Sequence, residues 1–250
     1  MKSLAHYIQE KLIIKKNKFN YFPKTKEELK NIIKKRIKSE GNECNLNNID
    51  VSKIKDMSGL FDGHQKFNGD ISEWNVSNVT DMSYMFYECL FFNGDIYEWN
   101  VSNVTNMNCM FYACENFNKN ISNWNVSNVE NMSFMFSDCS NFNQDISDWN
   151  VSSVTNIFGM FYGCISFNQD ISKWNVSNVE NMSNMFRGCK SFNQDISNWN
   201  VSNVTDMSYM FHNCIKFNQD ISKWNVFKVK NRINIFENCP IEEKYEPKFK

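Results

Sequence analysis

Between Val76 and Trp99 the apolar residues follow two rhythms. Val76, Val79, Met82, Met85, Phe86 and Cys89 come first, and the last four stand at i, i+3, i+4 and i+7, the spacing of one face of a short helix. Thr80 stands ahead of them where an N-cap belongs. Then comes "LFFNGDIYEW", in which Phe92, Ile96 and Trp99 are predicted to point inward around a short extended segment. A helical turn on one side and a strand on the other make one coil.

The phrase "WNVSNVTDMSYMF", which begins at Trp74, returns as "WNVSNVTNMNCMF" and "WNVSNVENMSFMF". Tryptophan stands at 74, 99, 124, 149, 174, 199 and 224, and cysteine at 89, 114, 139, 164, 189, 214 and 239, each series in steps of 25 without exception. An unbroken period of this size is the signature of a solenoid. One coil cannot bury its own apolar edge, but a stack can, so each copy roofs the core of the one before it. Tryptophan is expected on tryptophan and cysteine on cysteine, with strands pairing into a parallel sheet about 4.8 Å apart. The fold class is therefore an α/β repeat solenoid of eight coils, 42–66 through 217–241, about 35–40 Å long at that spacing. The first and last coils are degraded, as terminal repeats are. Ile49 takes the Trp place, Leu60-Phe61 the Met-Phe place and His64 the Cys place, while Arg232 stands where Met is expected.

Residues 1–41 are different in kind. "FPKTKEELKNIIKKRIKSEG" is a helix with readable ends: Thr25 and Glu28 form a capping box, and Gly41 stops it. Leu29, Ile32, Ile33, Arg36 and Ile37 make one stripe, and Lys26, Lys30, Lys34 and Lys38 another. An earlier helix is expected over Leu4 to Leu12. This segment holds twelve Lys/Arg against four Asp/Glu, net +8, and the remainder fifteen against twenty-four, net -9. Such a split reads as a basic helical arm on an acidic body. The arm either caps the first coil or docks an acidic partner, nucleic acid or an anionic surface through its lysine stripe. Nucleic acid is disfavoured because no aromatic interleaving accompanies the charge. Residues 242–250 form a C-terminal tail. No stretch approaches the roughly 20 apolar residues that span a bilayer, and the start of the chain shows no secretory h-region.

The pattern Val-Thr-Asp-Met-x-x-Met-Phe-x-x-Cys-x-x-Phe-Asn-x-Asp-Ile-x-x-Trp-Asn-Val resembles the bacterial surface-protein repeat related to BspA-type leucine-rich repeats. Residues 67–239 carry it closely and 42–66 loosely. The resemblance implies a leucine-rich-repeat-like solenoid used for adhesion or protein binding, without catalysis. The chain departs from surface-displayed members in showing no signal peptide, no lipoprotein cysteine near its start and no wall-anchor tail. A cytoplasmic or virion-associated place is expected, and surface display is disfavoured. Residues 1–20, "MKSLAHYIQEKLIIKKNKFN", resemble a leader of crAss-like bacteriophage proteins. That likeness adds a structural or packaged phage component, tethered by the arm, as the alternative to a protein-binding scaffold. A cell-surface adhesin is the second alternative.

Candidate chemistry is sparse. Seven of nine cysteines share one inward position, so they read as buried free thiols and not as disulfides or a metal site. Asp70, Asp95, Asp145, Asp170, Asp195 and Asp220 form a ladder that Asn120 interrupts. Acceptance of backbone N–H groups at a bend is expected of it, in preference to calcium binding. Asn75 and its equivalents should do the same at the next corner. The "NVS" and "NVT" sequons carry no weight without a secretory route. No Ser-His-Asp or Cys-His set, phosphate loop or His/Asp metal cluster is recognisable, so neither an enzyme nor a cofactor is expected. Positions that vary between repeats are where a protein partner would bind. Tyr84, Tyr87, Tyr112, Phe134 and Tyr162 are predicted to form an outward aromatic ridge, suited to a protein interface. Glu73, Glu98, Asp148, Lys173 and Lys223 mark a second variable face.

Overall fold

A computed structural model describes residues 18–249. The 25-residue windows lie one atop the next as a solenoid, with parallel backbone bridges running Asp56, Asp81, Asn106, Asn131, Asn156, Asn181, Asp206, Asn231. Each bridge is one residue wide. Around it, alternate N–H groups reach forward: Met82, Tyr84, Phe86 and Glu88 donate to Asn106, Asn108, Met110 and Tyr112 at 2.8–3.0 Å. The carbonyls of the same peptide units, on Asp81, Ser83, Met85 and Tyr87, accept from Met57, Gly59, Phe61 and Gly63 of the preceding coil. The pattern persists to Met207, Tyr209, Phe211 and Asn213, which donate to Asn231, Ile233, Ile235 and Glu237. At these positions N–H groups point toward the last coil and their carbonyls toward the first, while the Thr80 and Asn116 N–H groups reach back to Lys55 and Leu90.

The helix expected over Met82–Cys89 is two consecutive turns. Tyr84 and Glu88 have φ of +57°, outside the helical region, and Met85 and Cys89 donate to Met82 and Phe86, three residues back. Successive turns bring i, i+3, i+4 and i+7 to one side as a helix does, so the apolar spacing does not separate the two. Thr80 is not an N-cap; its N–H and hydroxyl both reach the carbonyl of Lys55 in the preceding coil. Nor is the segment Phe92–Trp99 a paired strand. Side chains supply its inter-coil bonds: Asn68 Oδ1 accepts from the Asn93 N–H, and Trp99 Nε1 donates to the Ile71 carbonyl.

The core is a set of ladders. Trp74, Trp99, Trp124 and Trp149 stack with centroids 6.4–6.5 Å apart and planes within 3°. Every repeat tryptophan donates Nε1–H to a carbonyl 28 residues back at 3.0–3.2 Å, which satisfies the one polar atom on a buried ring. Phe86 and its equivalents stack beside them, as in Phe86–Phe111 at 5.5 Å and Phe111–Phe136 at 5.7 Å. The Asp70 row and Asn120 accept the N–H two residues on at 2.9–3.1 Å. The Asn75 row does so at 3.1–3.3 Å. A third such corner lies at the bridge residues themselves, where Asp81 Oδ1 accepts from the Ser83 N–H.

At the start of the stack, helix α1 (Lys26–Glu40) buries Leu29 and Ile33 in the same core. Thr25 Oγ1 accepts from the Glu28 N–H at 3.2 Å, while Glu28 reaches back to the Lys24 N–H at 2.7 Å, one residue before the position a capping box uses. Gly41 ends the helix at φ +88°, its N–H on the Ile37 carbonyl. Arg36 ties α1 down through Asn48 Oδ1 and the Asn45 carbonyl, both at 2.8 Å. At the far end residues 242–249 fold back onto the last coil. Tyr245 accepts from the Ile221 N–H at 3.0 Å, Pro247 is buried, and the Arg232 guanidinium lies 4.7 Å over the Phe249 ring. The helix expected over Leu4–Leu12 lies outside the described residues.

Candidate functional site

The row predicted as an aromatic ridge stands on the turns that carry the forward hydrogen bonds. Each coil contributes two residues of positive φ there, four apart. One column is Gly59, Tyr84, Cys109, Phe134, Gly159, Asn184, Tyr209 and Asn234, at +51° to +58°. The second includes Gly63, Glu88, Ala113, Asp138, Gly163, Gly188, Asn213 and Asn238. Glycine and asparagine tolerate this region, whereas a tyrosine or phenylalanine is strained in it.

Tyr84, Tyr87, Tyr112 and Phe134 do come together. Tyr84 and Tyr87 are 5.6 Å apart, Tyr87 stacks on Tyr112 at 4.7 Å, and Tyr112 meets Phe134 edge-on at 6.2 Å. Phe134 then meets Phe158 at 4.5 Å, and its ring lies so close over Gly159 that a Cβ there would sit 2.6 Å from Phe134 Cε1. Tyr162 belongs to a second run. Arg187 lies between Tyr162 and Tyr209, 5.5 and 4.9 Å from their centroids, and Tyr209 touches His212, whose Nδ1 is 3.1 Å from Glu237. Tyr84 is 43% exposed and the other aromatic members are half-buried, leaning on one another. Phe158, Arg187, Tyr209 and His212 are not among the predicted ridge residues, although the last three occupy the same variable rows. Their contacts depend on where the positive-φ turns aim them.

The four lysines of the stripe meet different surroundings. Lys26 Nζ binds Asp56 at 2.9 Å and Ser58 Oγ at 2.6 Å in the first coil. Lys30 and Lys34 line a shallow cleft between α1 and that coil, with Gly59, Asp62 and His64 across it. Lys38 is exposed in the last turn. On the second variable face Lys173 and Asp148 are 3.4 Å apart, and Glu73 pairs with Lys18 at 2.6 Å.

All nine cysteines are free thiols. Cys89 through Cys214 donate Sγ–H to a phenylalanine carbonyl of the preceding coil at 2.8–3.1 Å. Burial pushes their pKa values far up, and holds Cys109 and Cys239 at about 11. Such thiols are not nucleophiles at neutral pH. Among the described residues no three His, Cys, Asp or Glu side chains gather where they could hold a metal ion, and no helix is long and apolar enough to cross a membrane.

These observations define a tandem-repeat solenoid with an uninterrupted aromatic ladder. Residues 27–147, 98–186 and 131–246 each match the family described as "Mycoplasma protein of unknown function, DUF285". The matched segments overlap across most of the chain, which belongs to that family. Searches of curated proteins and of solved structures return no match.

Proposed function

We propose that the chain is a non-enzymatic, protein-binding repeat scaffold whose docking surface is the row from Tyr84 to His212. The observation that carries it is the placement of Tyr84, Phe134 and Tyr209 at positive-φ positions that other coils fill with Gly59, Cys109, Gly159, Asn184 and Asn234. A non-glycine residue held there costs roughly 1–3 kcal/mol, and strain of this kind concentrates where function needs the side chain. The aromatic members offer rigid, amphipathic contact area, and Arg187 a cation already sandwiched between two rings. From the leucine-rich-repeat resemblance this keeps the use of one solenoid face for a partner. It keeps none of the helix-and-strand geometry. Non-catalytic use fits the buried row Cys89, Cys114, Cys139, Cys164, Cys189 and Cys214, each thiol of which is committed to a carbonyl. Helix α1, with Leu29 and Ile33 in the core, acts in this scheme as the cap of the first coil.

A photo-crosslinking residue placed at Tyr87 or Tyr112, and separately at the exposed Asn175 on a different corner, tests it in the native source. Adducts to a defined protein should form from the ridge positions and vanish when Tyr84 and Tyr209 are replaced by Asn. Equal adducts from Asn175 would defeat the assignment.

A further inference from the structure

A second surface, away from the ridge, has the makings of a ligand site. A groove runs along the stack across the first four coils between two columns. Glu43, Asn68, Asn93 and Asn118 form one, and Phe91, Asn116 and Asn141 the other. The amides of the first column are locked in orientation: Asn93 and Asn118 each accept, through Oδ1, the N–H of the residue 25 positions on, at 3.0 Å. Their Nδ2 groups are thereby turned to donate elsewhere. Among the described residues, Nδ2 of Asn93, Asn116 and Asn118 has no protein acceptor, while Asn68 Nδ2 binds Glu43 at 3.2 Å. Phe91 is 54% exposed on the groove wall, at a place held by lysine, serine or asparagine in the other coils except the last, which has Ile241.

The groove is confined to these coils for a visible reason. Further along, glutamine folds its carboxamide over the asparagine column: Gln144 onto Asn118 at 2.8 Å, Gln169 onto Asn143 at 2.9 Å, Gln194 onto Asn168 at 2.9 Å, Gln219 onto Asn193 at 3.0 Å. The corresponding residues over Glu43, Asn68 and Asn93 are Gly69, Gly94 and Lys119. Glycine has no side chain to offer, and Lys119 makes no bond to the column among the described residues.

We propose that this groove binds a neutral polysaccharide lying along the solenoid axis. The lining holds a repeated, fixed set of amide donors, one carboxylate acceptor and one exposed aromatic face, and no aliphatic socket. Placed polar groups beside an aromatic platform suit a ligand rich in hydroxyls with one apolar ring face. A nucleic acid would meet the Glu43 carboxylate in the lining and a single lysine, Lys119, over the column, too little positive charge for a run of phosphates. Asn93 and Asn118, in adjacent coils, offer the same amide, so two neighbouring sugar units meet equivalent donors.

Titration calorimetry of the full chain with chitohexaose, cellohexaose and maltohexaose tests this. At least one hexamer should bind saturably at or below roughly millimolar concentration. Phe91→Ala, at an exposed position, should weaken it at least about tenfold. Lys119→Gln should do the same by closing the groove as Gln144 does, with the near-UV circular dichroism of the tryptophan ladder unchanged in both. Absence of binding to all three hexamers overturns the proposal. So does parent-like affinity in either variant.

Discussion

Replacing one tryptophan in the middle of the ladder tests the stacking account most directly. Trp124 is 3% exposed, lies 6.5 Å from Trp99 and 6.4 Å from Trp149, and packs on Phe111 at 6.3 Å. Its Nε1–H satisfies the Ile96 carbonyl at 3.1 Å. Trp124→Ala removes the ring and leaves a cavity, which costs about 3–5 kcal/mol. The orphaned carbonyl adds about 1–3 kcal/mol. Trp124→Phe keeps most of the apolar volume and loses the donor, so it should cost only about 1–3 kcal/mol. A stack of nearest-neighbour contacts also predicts a qualitative effect. The alanine variant weakens two interfaces at once, so the coils on either side should unfold at separate urea concentrations. Equilibrium urea unfolding, followed by fluorescence of the remaining tryptophans and by near-UV circular dichroism, reads both quantities. A single transition within about 1 kcal/mol of the parent would refute the ladder as the main source of cohesion.

Three further outcomes follow from particular residues. Gly188→Ala, at φ +76° with the nearest foreign atoms 3.7 Å from the new Cβ, should cost about 1–2 kcal/mol from backbone strain alone. Gly159→Ala adds a collision with Phe134 and should cost more, which thermal melts of the two variants would rank. In the native protein a thiol reagent should leave the buried Cys89–Cys214 row unmodified, with Cys239 reacting first; rapid modification of Cys139 would contradict its bond to the Phe111 carbonyl. Acid should destabilise the stack. The Ser147 and Ser172 N–H groups hold the Asp145 and Asp170 carboxyls below their ordinary values. The stability these carboxylates contribute is complete above the unfolded value near pH 3.9 and is lost as pH falls through the lower folded values. Asp145→Asn together with Asp170→Asn should flatten that part of a stability profile against pH.

Much of the architecture is legible in the chain because period and packing coincide. An uninterrupted 25-residue step brings like residue over like, and the run from Trp74 to Trp149 and the phenylalanine stack from Phe61 to Phe236 obey it. The Asx corners at Asp70 and Asn75 were equally readable, since a short acceptor side chain beside a bend has few other uses. The turns were not, because the spacing of Met82, Met85, Phe86 and Cys89 suits a helix and a pair of turns alike. A usable sign lay in the columns beside them: Gly59, Gly159, Asn184 and Asn234 in one, Gly63, Gly163, Gly188 and Asn213 in the other, residue types that accept positive φ. The expected strand failed for a related reason. Side chains such as Asn68 and Trp99 take over bonds that a backbone ladder would make, and composition does not announce that exchange. The ridge was visible as variable rows, yet the separation of Tyr162 from the Tyr84–Phe134 run depends on ring directions. The polysaccharide groove rests on glycines at 69 and 94, plain in the sequence but mute until the glutamines of later coils show what they would cover.

The forward-pointing peptide units give the solenoid an electrical direction. Three or four such units per coil outnumber reversed ones such as those of Thr80 and Asn116, which donate to the preceding coil, so a net moment remains along the axis, with partial positive charge on the N–H groups of the last coil and partial negative charge on the carbonyls of the first. Lys26, Lys30 and Lys34 sit against that first coil, beside Asp56, Gly59 and Asp62. The lysines at 26, 30 and 34 thus stand at the end of the stack that those carbonyls face, the sign of charge such a pole favours.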